Sequence, residues 1–506
     1  MELEKTLQHY FGFSTFRTGQ KEIILDVLAG RNVLAVLPTG SGKSLCYQIP
    51  AMERSGVVLV ISPLLSLMED QVKQLKQTGF QQVIAINSFL KNKQAIYPSL
   101  DRYKLIYLSP EILQNRELLT QLKYLNISLF VIDEAHCISQ WGYEFRPDYL
   151  KLRGIIEELG SPPFMALSAT ATPEVQEDII AQLNHAPIVK HIYPMDRNNI
   201  AFLVEKVSSN QEKDSYLTDL FSQFTVPAMV YFSSKKEAER VAKMLSSELP
   251  ELQIAYYHGG MDQTDRILIQ QQFMEGKLDV ICCTSAFGMG IDKSNVRLVV
   301  HYHIPIQIES FIQEIGRSGR DGLSSVSILL YTNFDHKIPE RLIEGELPDT
   351  SVVRPLVSML QKSVINQSSI KLDENKLIEQ FCLSEIQWRF LHFQLEKHGM
   401  IKENRILKSR VEYDAIAKKI VCKITERNRY KMKKLNQMLQ WVNVDECRRV
   451  ALYQPFQKTI NQPIYFCCDR CGFMLSQWDP VIPKKQSDPK DWKVQLQQLF
   501  SQGESQ

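Results

Sequence analysis

The chain has 506 residues, a formal net charge of +2, 44% hydrophobic residues and 23% charged residues, which is an ordinary globular composition. The length favours two to four domains, and no apolar run is long enough to cross a bilayer. The N-terminus lacks a secretory signal pattern, and ten cysteines in so long a chain favour a reducing compartment over a disulfide scaffold. These features exclude a membrane protein and a disulfide-rich secreted module.

The first predicted element is a turn that enters an amphipathic helix. The turn, Phe-Gly-Phe-Ser-Thr-Phe-Arg-Thr-Gly-Gln, ends at Gln20, and the helix covers residues 21–28. A glutamine side chain has both a donor and an acceptor, which suits the edge of adenine. Arg17 and Gln20 are therefore candidates to contact a nucleotide base.

Residues 34–44 combine an apolar run, typical of a buried strand, with the turn Thr-Gly-Ser-Gly-Lys-Ser and a following helical stretch. Backbone N–H groups of such a turn and the dipole of the helix favour a bound anion. Lys43 can reach the outer phosphates of a nucleotide, and the Ser44 hydroxyl can hold Mg²⁺. The full phosphate-loop pattern lacks its first glycine, because Leu37 occupies that position.

Short apolar runs separated by helical stretches then predict a parallel sheet with its ligands at the carboxyl ends of the strands. The third run ends in Asp133 and Glu134, of which the first can hold Mg²⁺ and the second can polarise a water. The fourth run ends in Ser168 and Thr170, which can bond across to the acids. The four runs are Val57–Ile61, Leu105–Leu108, Leu129–Ile132 and Phe164–Leu167.

An aromatic segment follows the acids directly. Trp141, Tyr143, Phe145 and Arg146 lie among Gly and Pro residues, which excludes a regular helix. Exposed aromatic side chains beside an arginine can stack on bases and hold phosphate. A small hydrophobic core under a loop is the alternative.

A second series of strands and helices begins after a boundary near Tyr193–Asn199. It contains no second Gly-Lys-Ser turn, so we expect no nucleotide site of its own. Arg317 and Arg320 stand three residues apart, and arginines presented across a cleft stabilise charge on a transferring phosphoryl group. The predicted strands are 228–232, 253–256, 280–283, 299–301 and 326–330.

Together these motifs resemble, in order and spacing, those of superfamily 2 helicases, and residues 11–20, the aromatic segment and Gly-Arg-Ser-Gly-Arg-Asp-Gly resemble the RecQ family of DNA helicases. The resemblance implies an α/β protein with two tandem RecA-like parallel-sheet domains, at 1–195 and 196–340. A mainly helical C-terminal region with a zinc-binding module follows. It also implies ATP-driven 3′→5′ translocation and DNA unwinding in recombination and repair.

Roles of single residues follow from the same resemblance. Adenine is contacted by Arg17 and Gln20, and MgATP is held by Thr39, Gly40, Ser41, Gly42, Lys43, Ser44 and Asp133. Glu134 is the general base, Asp292 contacts the ribose, and Arg317 and Arg320 face the γ-phosphate, with the choice of arginine finger open. The residues that couple hydrolysis to DNA are His136, Trp141, Phe145, Arg146, Ser168 and Thr170.

The expected partners are single-stranded and tailed duplex DNA and other recombination and repair proteins. We expect a cytoplasmic, nucleoid-associated bacterial monomer. Two alternatives stay open: an RNA helicase, and a nucleic-acid clamp that uses ATP only to switch affinity.

Four late cysteines predict a metal site in a helical hairpin and zinc module at 431–475. Cys447 and the pair Cys468 and Cys471 have the spacing of a tetrahedral thiolate site. The RecQ pattern has three late cysteines, each separated by two residues, and Tyr465 stands where the first would be. Cys467 is the predicted fourth ligand; an incomplete site, or none, is the alternative.

Residues 341–430 form a basic insertion. Between Ser351 and Gln440 there are 18 Lys and Arg against 9 Asp and Glu, a net charge of +9 that indicates a polyanion contact or a solvated helix face. The pattern fits a winged-helix-like DNA binder or a plain helical insertion. In the family the winged helix follows the zinc module, but only 35 residues follow Cys471 here, and 476–506 read as a flexible tail.

Overall fold

The computed structural model describes residues 2–63, 65–87, 96–139, 146–183, 187–288, 293–364, 369–402, 404–408 and 412–481. Two parallel sheets form two successive lobes, and a small antiparallel sheet lies in the C-terminal region. The strands are β1 (Asn32–Val36), β2 (Val57–Ile61), β3 (Val83–Ile86), β4 (Leu105–Leu108), β5 (Ile127–Ile132), β6 (Phe164–Ser168), β7 (Ile188–Ile192), β8 (Ile200–Lys206), β9 (Ala228–Tyr231), β10 (Ile254–Tyr257), β11 (Val280–Cys283), β12 (Leu298–His301), β13 (Ser325–Tyr331), β14 (Ser369–Lys371), β15 (Ile401–Lys402) and β16 (Arg405–Leu407).

The helices of the described residues divide between the two lobes and the C-terminal region. They are α1 (Glu2–Phe11), α2 (Gln20–Leu28), α3 (Leu45–Glu53), α4 (Leu65–Gln77), α5 (Arg116–Lys123), α6 (Leu152–Glu158), α7 (Pro173–Leu183), α8 (Asn210–Gln223), α9 (Lys235–Glu248), α10 (Gln263–Met274), α11 (Ile308–Ile315), α12 (Lys337–Glu346), α13 (Thr350–Ser363), α14 (Glu374–Gln380), α15 (Glu385–Lys397), α16 (Tyr413–Val442) and α17 (Arg448–Tyr453).

The first lobe is a parallel sheet buried on both faces. Its strand order is β3-β4-β2-β5-β6-β1-β7. In β1, Leu34 and Val36 pack into one apolar core, whereas Val33 and Ala35 pack into another. Continuous runs of Val, Leu and Ile suit such a sheet because side chains on both faces leave water. The predicted α/β architecture is confirmed.

The second lobe repeats this plan with six parallel strands in the order β10-β11-β9-β12-β13-β8. Residues 193–199 connect the lobes, where the sequence places the boundary. The sequence did not predict β3, β7 or β8. Strand β7 is a half-exposed edge strand that contains Lys190 and His191, so it lacks the continuous apolar run that identified the buried strands.

In the C-terminal region, α13, β14, α14, α15, β15 and β16 follow one another around an apolar core of their own. The three strands are antiparallel in the order β14-β16-β15. Helix α15 begins at a capping box in which Ser384 and Gln387 each bond the other's backbone N–H. This region is therefore a compact unit of three helices with a small sheet, and the first half of α16 completes its core through Ile416, Ala417, Ile420 and Ile424.

Helix α16 is one continuous helix of 30 residues. It joins this unit to residues 447–471, which contain four cysteines and are called the cysteine module below. The boundary expected at residue 430 falls inside this helix. Buried cations interrupt the apolar pattern there: Arg427 and Lys431 both pair with Glu346. No helix of the described residues is long and apolar enough to cross a membrane.

The sequence predicts a flexible tail from residue 476, but residues 476–481 pack against the rest of the chain. Trp478 is 3% exposed and packs against Phe224 of the second lobe, with ring centroids 5.2 Å apart. Its indole N–H donates to the Ser324 hydroxyl at 3.1 Å. The described chain is thus anchored to the second lobe up to this tryptophan, and residues 482–506 lie outside the described residues.

Replacing Trp478 with alanine should lower the free energy of unfolding by about 3 kcal/mol, because a buried aromatic side chain leaves a cavity. Urea denaturation measures this change. Tyr124, which is 82% exposed, provides the control, and Tyr124→Ala should change it by less than about 0.5 kcal/mol. An equally small effect of Trp478→Ala would contradict the packing described.

Candidate active site and metal centre

The turn at residues 38–44 lies between the end of β1 and the start of α3. Gly40 and Gly42 both have positive φ, at 77° and 76°, a backbone region that glycine enters without strain. The Gln20 amide donates to the carbonyls of Ser41 at 2.8 Å and Gly42 at 3.1 Å. The Arg17 guanidinium donates to the carbonyl of Gly40. Arg17 and Gln20, which the sequence suggests as contacts of adenine, therefore donate hydrogen bonds to the backbone of the turn in this structure.

The order β5-β6-β1 brings the ends of three strands together beside this turn. Asp133 and Glu134 follow β5, and Ser168 ends β6 opposite Val36 of β1. Carboxyl ends of parallel strands are the usual ligand edge of such a sheet. The sheet therefore brings the two acids and the phosphate-binding turn to one edge.

The Asp133 carboxyl group is buried in this site. Burial raises the pKa of Asp133 to about 7, with the neighbouring Glu134 adding to the rise and Lys43 opposing it. A buried carboxylate near Lys43, in a cleft that Ser44 also lines, fits a bound divalent cation, since hard cations take oxygen ligands. The residues present therefore fit Mg²⁺ and a nucleotide phosphate.

Glu134 has an unusual backbone conformation, with φ 49° and ψ 48° in the left-handed region. For a residue other than glycine this costs of order 1–2 kcal/mol. The tyrosine hydroxyl of Tyr149 donates to the Asp133 carbonyl at 3.1 Å and fixes the turn on one side. The turn directs Glu134 into the cleft, whose wall it forms.

His136 links the acid turn to the end of β6. Its Nδ1 lies 3.1 Å from the Ser168 hydroxyl and 3.4 Å from a Glu134 carboxylate oxygen. Ser168 thus contacts the histidine rather than the acids, which differs from the sequence expectation. Burial lowers the pKa of His136 to about 4, so the ring is neutral near pH 7. Thr170 is 2% exposed beside this strand end.

Both lobes line a cleft of about 620 Å³. A Cβ added to Gly316 would come 1.9 Å from the Thr39 hydroxyl, and one added to Gly40 would come 2.9 Å from Arg320. The lobes are therefore in close contact at the phosphate-binding turn. The lining includes Arg17, Gln20, Thr39, Gly40, Gly42, Lys43, Ser44, Asp133 and Glu134 from the first lobe and Ser294, Gln313, Arg317 and Arg320 from the second.

The two arginines make different contacts in the cleft. Arg320 lies over the backbone of Gly40, in the first lobe, whereas the Arg317 guanidinium donates to the Gly288 carbonyl in its own lobe. Of these two arginines, Arg320 is the one whose side chain fills the space beside Gly40 of the turn.

Four residues named from the sequence lie outside the described residues: Trp141, Tyr143, Phe145 and Asp292. Arg146 is described and half-buried, and its backbone N–H donates to the Cys137 carbonyl at 3.1 Å. Sequence reasoning missed Phe13, which lines the cleft and is 51% exposed. The signal in the sequence is its place in the same turn, residues 11–20, that contains Arg17 and Gln20.

Cys447, Cys467, Cys468 and Cys471 come together in one cluster, with all four Sγ atoms within 4.8 Å of one another. The Sγ atoms of Cys447 and Cys467 are 3.5 Å apart, and those of Cys468 and Cys471 are 3.6 Å apart. Tetrahedral zinc with bonds of about 2.3 Å separates its sulfurs by about 3.8 Å. The cluster therefore fits a zinc ion, while Tyr465 is 47% exposed.

Two family models match the chain: the "DEAD/DEAH box helicase" over residues 17–179 and the "Helicase conserved C-terminal domain" over residues 212–322. The protein named "Probable ATP-dependent DNA helicase RecS" of Bacillus subtilis (strain 168) is 40% identical over 512 residues, covering 99% of this chain and 98% of that protein. The chain belongs to the RecQ family of superfamily 2 helicases. The "ATP-dependent DNA helicase RecQ" of the same organism is 43% identical over 350 residues.

That match covers 67% of this chain and 58% of the RecQ protein. The chain therefore spans less than two thirds of the length of that RecQ relative. Solved structures share the fold at low identity. "Crystal Structure of DUF1998 helicase MrfA bound to DNA" aligns with a TM-score of 0.57 and 19% identity, over 82% of this chain and 63% of that one. "Structure of Mss116p (NTE and C-tail double deletion) bound to ssRNA and AMP-PNP" aligns with a TM-score of 0.57 and 16% identity, over 86% and 89%.

The metal-site prediction is tested by the zinc content of the purified protein. We expect about one equivalent in the unsubstituted chain and a large loss in Cys471→Ser, because a structural site needs four ligands. Cys422→Ser is the matched control, since Cys422 is exposed on α16 and lies outside the cluster, and it should keep its zinc. Less than half an equivalent in the unsubstituted protein would contradict the site.

Proposed function

We propose that this RecQ-family chain is an ATP-dependent 3′→5′ DNA helicase that couples ATP hydrolysis to translocation on single-stranded DNA and duplex unwinding. One observation carries the proposal. The cleft has a phosphate-binding turn and two acids on one wall and two arginines on the other. Such a cleft can change shape with the state of the nucleotide, which moves one lobe relative to the other.

The residues of the cleft have separate roles in this proposal. Lys43 and Ser44 would hold ATP, with Asp133 and Ser44 as ligands of Mg²⁺, an ion that neutralises developing phosphate charge. Glu134 would accept a proton from the attacking water. Arg320, over the phosphate-binding turn, is proposed as the arginine finger, and Arg317 as its support.

His136 is proposed to connect hydrolysis with DNA. Its ring touches both the proposed base, Glu134, and the end of β6 at Ser168. A shift of this strand end would therefore alter the position of the Glu134 carboxylate. Arg146, at the end of the aromatic segment that includes Trp141 and Phe145, would sense the strand of DNA.

The unit of 350–407 is proposed to be a winged-helix-like DNA-binding module. Its order of helices and strands supports this, and so does its charge. The β15–β16 hairpin and the residue after it expose Lys402, Arg405 and Lys408. Exposed cations on a hairpin suit contact with DNA phosphates.

Zinc is proposed to occupy the four-cysteine cluster and to hold its module folded. We further propose that the protein works as a monomer in the bacterial cytoplasm, on nucleoid DNA and with other recombination and repair proteins. Its bacterial RecQ and RecS relatives support this setting.

A strand-displacement assay on tailed duplexes tests the function. The unsubstituted protein should displace a strand from a 3′-tailed DNA duplex in the presence of MgATP. Glu134→Gln should lose about 10²- to 10⁴-fold in ATP turnover, because it removes a general base, while it still binds ATP. Lys43→Ala should lose both turnover and tight ATP binding.

Three results, from strand displacement, ATP turnover and DNA binding measured on the same protein, would contradict the proposal. Stimulation of turnover by RNA but not DNA would indicate an RNA helicase. Hydrolysis with a change in DNA affinity but no displacement would indicate a clamp. Displacement from a 5′-tailed duplex alone would reverse the polarity.

The wing is tested by a triple variant, Lys402→Ala with Arg405→Ala and Lys408→Ala. The affinity for duplex DNA decreases as salt increases. If each cation meets one phosphate, the negative slope of log affinity against log salt should become shallower by about 2–3 in this variant. The control is a triple variant of exposed first-lobe cations, Lys5→Ala with Lys123→Ala and Lys190→Ala. Equal slopes in both triple variants would refute a DNA role for the hairpin.

A further inference from the structure

The segment that connects the lobes contains an arginine that contacts both lobes. Arg197 lies between β7 and β8 and donates to the Thr39 carbonyl of the first lobe at 3.3 Å. The same guanidinium donates to the carbonyls of Gly316 at 3.3 Å and Gly319 at 2.5 Å, both in the second lobe. One side chain therefore bridges the phosphate-binding turn and the segment that carries Arg317 and Arg320.

The partners of Arg197 are backbone carbonyls, and among the described residues it forms no ion pair with a carboxylate. A planar guanidinium has five donors in a fixed fork, so it can bond several carbonyls at once. One guanidinium nitrogen donates to both Thr39 and Gly316, whereas the other donates to Gly319. A lysine ammonium could replace the first nitrogen but would lose the bond to Gly319. The site thus depends on the shape of arginine as well as on its charge.

The cysteine module fixes the connecting segment through hydrogen bonds and an ion pair. Arg449 of α17 forms a buried ion pair with Asp196 and donates to the Arg197 carbonyl at 3.1 Å. The backbone N–H of Asn461 donates to the Asp196 carboxylate at 3.0 Å, and the Gln457 side chain accepts from the Met195 N–H at 2.8 Å. The backbone that carries Arg197 is therefore fixed by residues 449–461, and Arg449 also donates to the carbonyl of Ile200, in β8 of the second lobe.

We propose that Arg197 is a positioning residue that holds the two lobes in the arrangement required for ATP turnover. Opening the cleft would move Thr39 away from Gly316, and Arg197 would then lose its bond to the first lobe. The bridge thus favours the closed arrangement, in which Arg320 lies over the phosphate-binding turn. This inference rests on the proposed function of the cleft.

Arg197 is absent from the residues that line the cleft, so its effect passes through the backbone of Thr39, Gly316 and Gly319. The first lobe contains the phosphate-binding turn and can bind ATP without the bridge. Loss of the bridge should therefore affect the transition state more than the bound ATP, which lowers kcat more than it raises KM.

The test compares steady-state ATP hydrolysis, with and without single-stranded DNA, in the full chain and in Arg197→Met and Arg197→Lys. Arg197→Met should lower the DNA-stimulated kcat about tenfold or more, with a change in KM for ATP below about threefold. Arg197→Lys keeps the charge but not the fork, so it should recover less than half of the lost kcat.

The matched control is Arg54→Met. Arg54 also donates to two backbone carbonyls, those of Ser128 at 2.7 Å and Leu28 at 3.2 Å, but both lie within the first lobe. Arg54→Met should lower the melting temperature and leave kcat per folded molecule unchanged. A merely structural role for Arg197 would give the same result as this control.

Three outcomes would overturn the inference: a kcat within twofold of the unsubstituted protein in Arg197→Met, a loss of kcat matched by an equal rise in KM, or full recovery in Arg197→Lys. The inference and the proposed function fail separately. An unsubstituted protein that hydrolyses ATP without unwinding DNA would contradict the helicase proposal, while the kcat of the Arg197 variants would still decide whether the bridge positions the lobes.

Discussion

The contact between Thr39 and Gly316 leaves no room for a side chain on the glycine. This constraint determines where the second lobe sits on the first. Because Gly316 directly precedes Arg317 and is four residues from Arg320, the backbone approach also fixes both arginines relative to the phosphate-binding turn. Both sides of the contact are rigid, because Thr39 follows the buried strand β1 and Gly316 follows the buried helix α11.

The C-terminal region reaches this contact through α16. Its Lys434 pairs with Glu309 of α11 at 2.6 Å, and its Trp441 packs on Phe311 of the same helix with centroids 4.8 Å apart. Helix α11 ends one residue before Gly316. A buried ion pair of this kind is a weak source of stability. The 30-residue helix thus provides a continuous path from the three-helix unit to the arginines of the cleft.

Much of this arrangement can be predicted from the sequence, because continuous apolar runs indicate buried parallel strands and the acids of β5 stand at a strand end. What the sequence did not reveal has physical causes. The sequence placed a boundary at residue 430, inside α16, because cations such as Lys431 suggest a solvated helix face. In the structure Lys431 is buried and paired with Glu346. The contacts of Arg17 and Gln20 with the turn, and the bridge formed by Arg197, depend on the approach of segments distant in sequence. No local pattern marks such an approach.

The left-handed backbone at Glu134 has a consequence for how this protein can change. A glycine at that position would relax the turn and make the folded state more stable, since it removes the steric conflict of a Cβ atom. It would also delete the carboxylate. If Glu134 is the general base, as proposed above, selection for thermal robustness and selection for turnover act in opposite directions at this position. Variants of the chain that survive heating but no longer consume ATP should be enriched in changes at this residue.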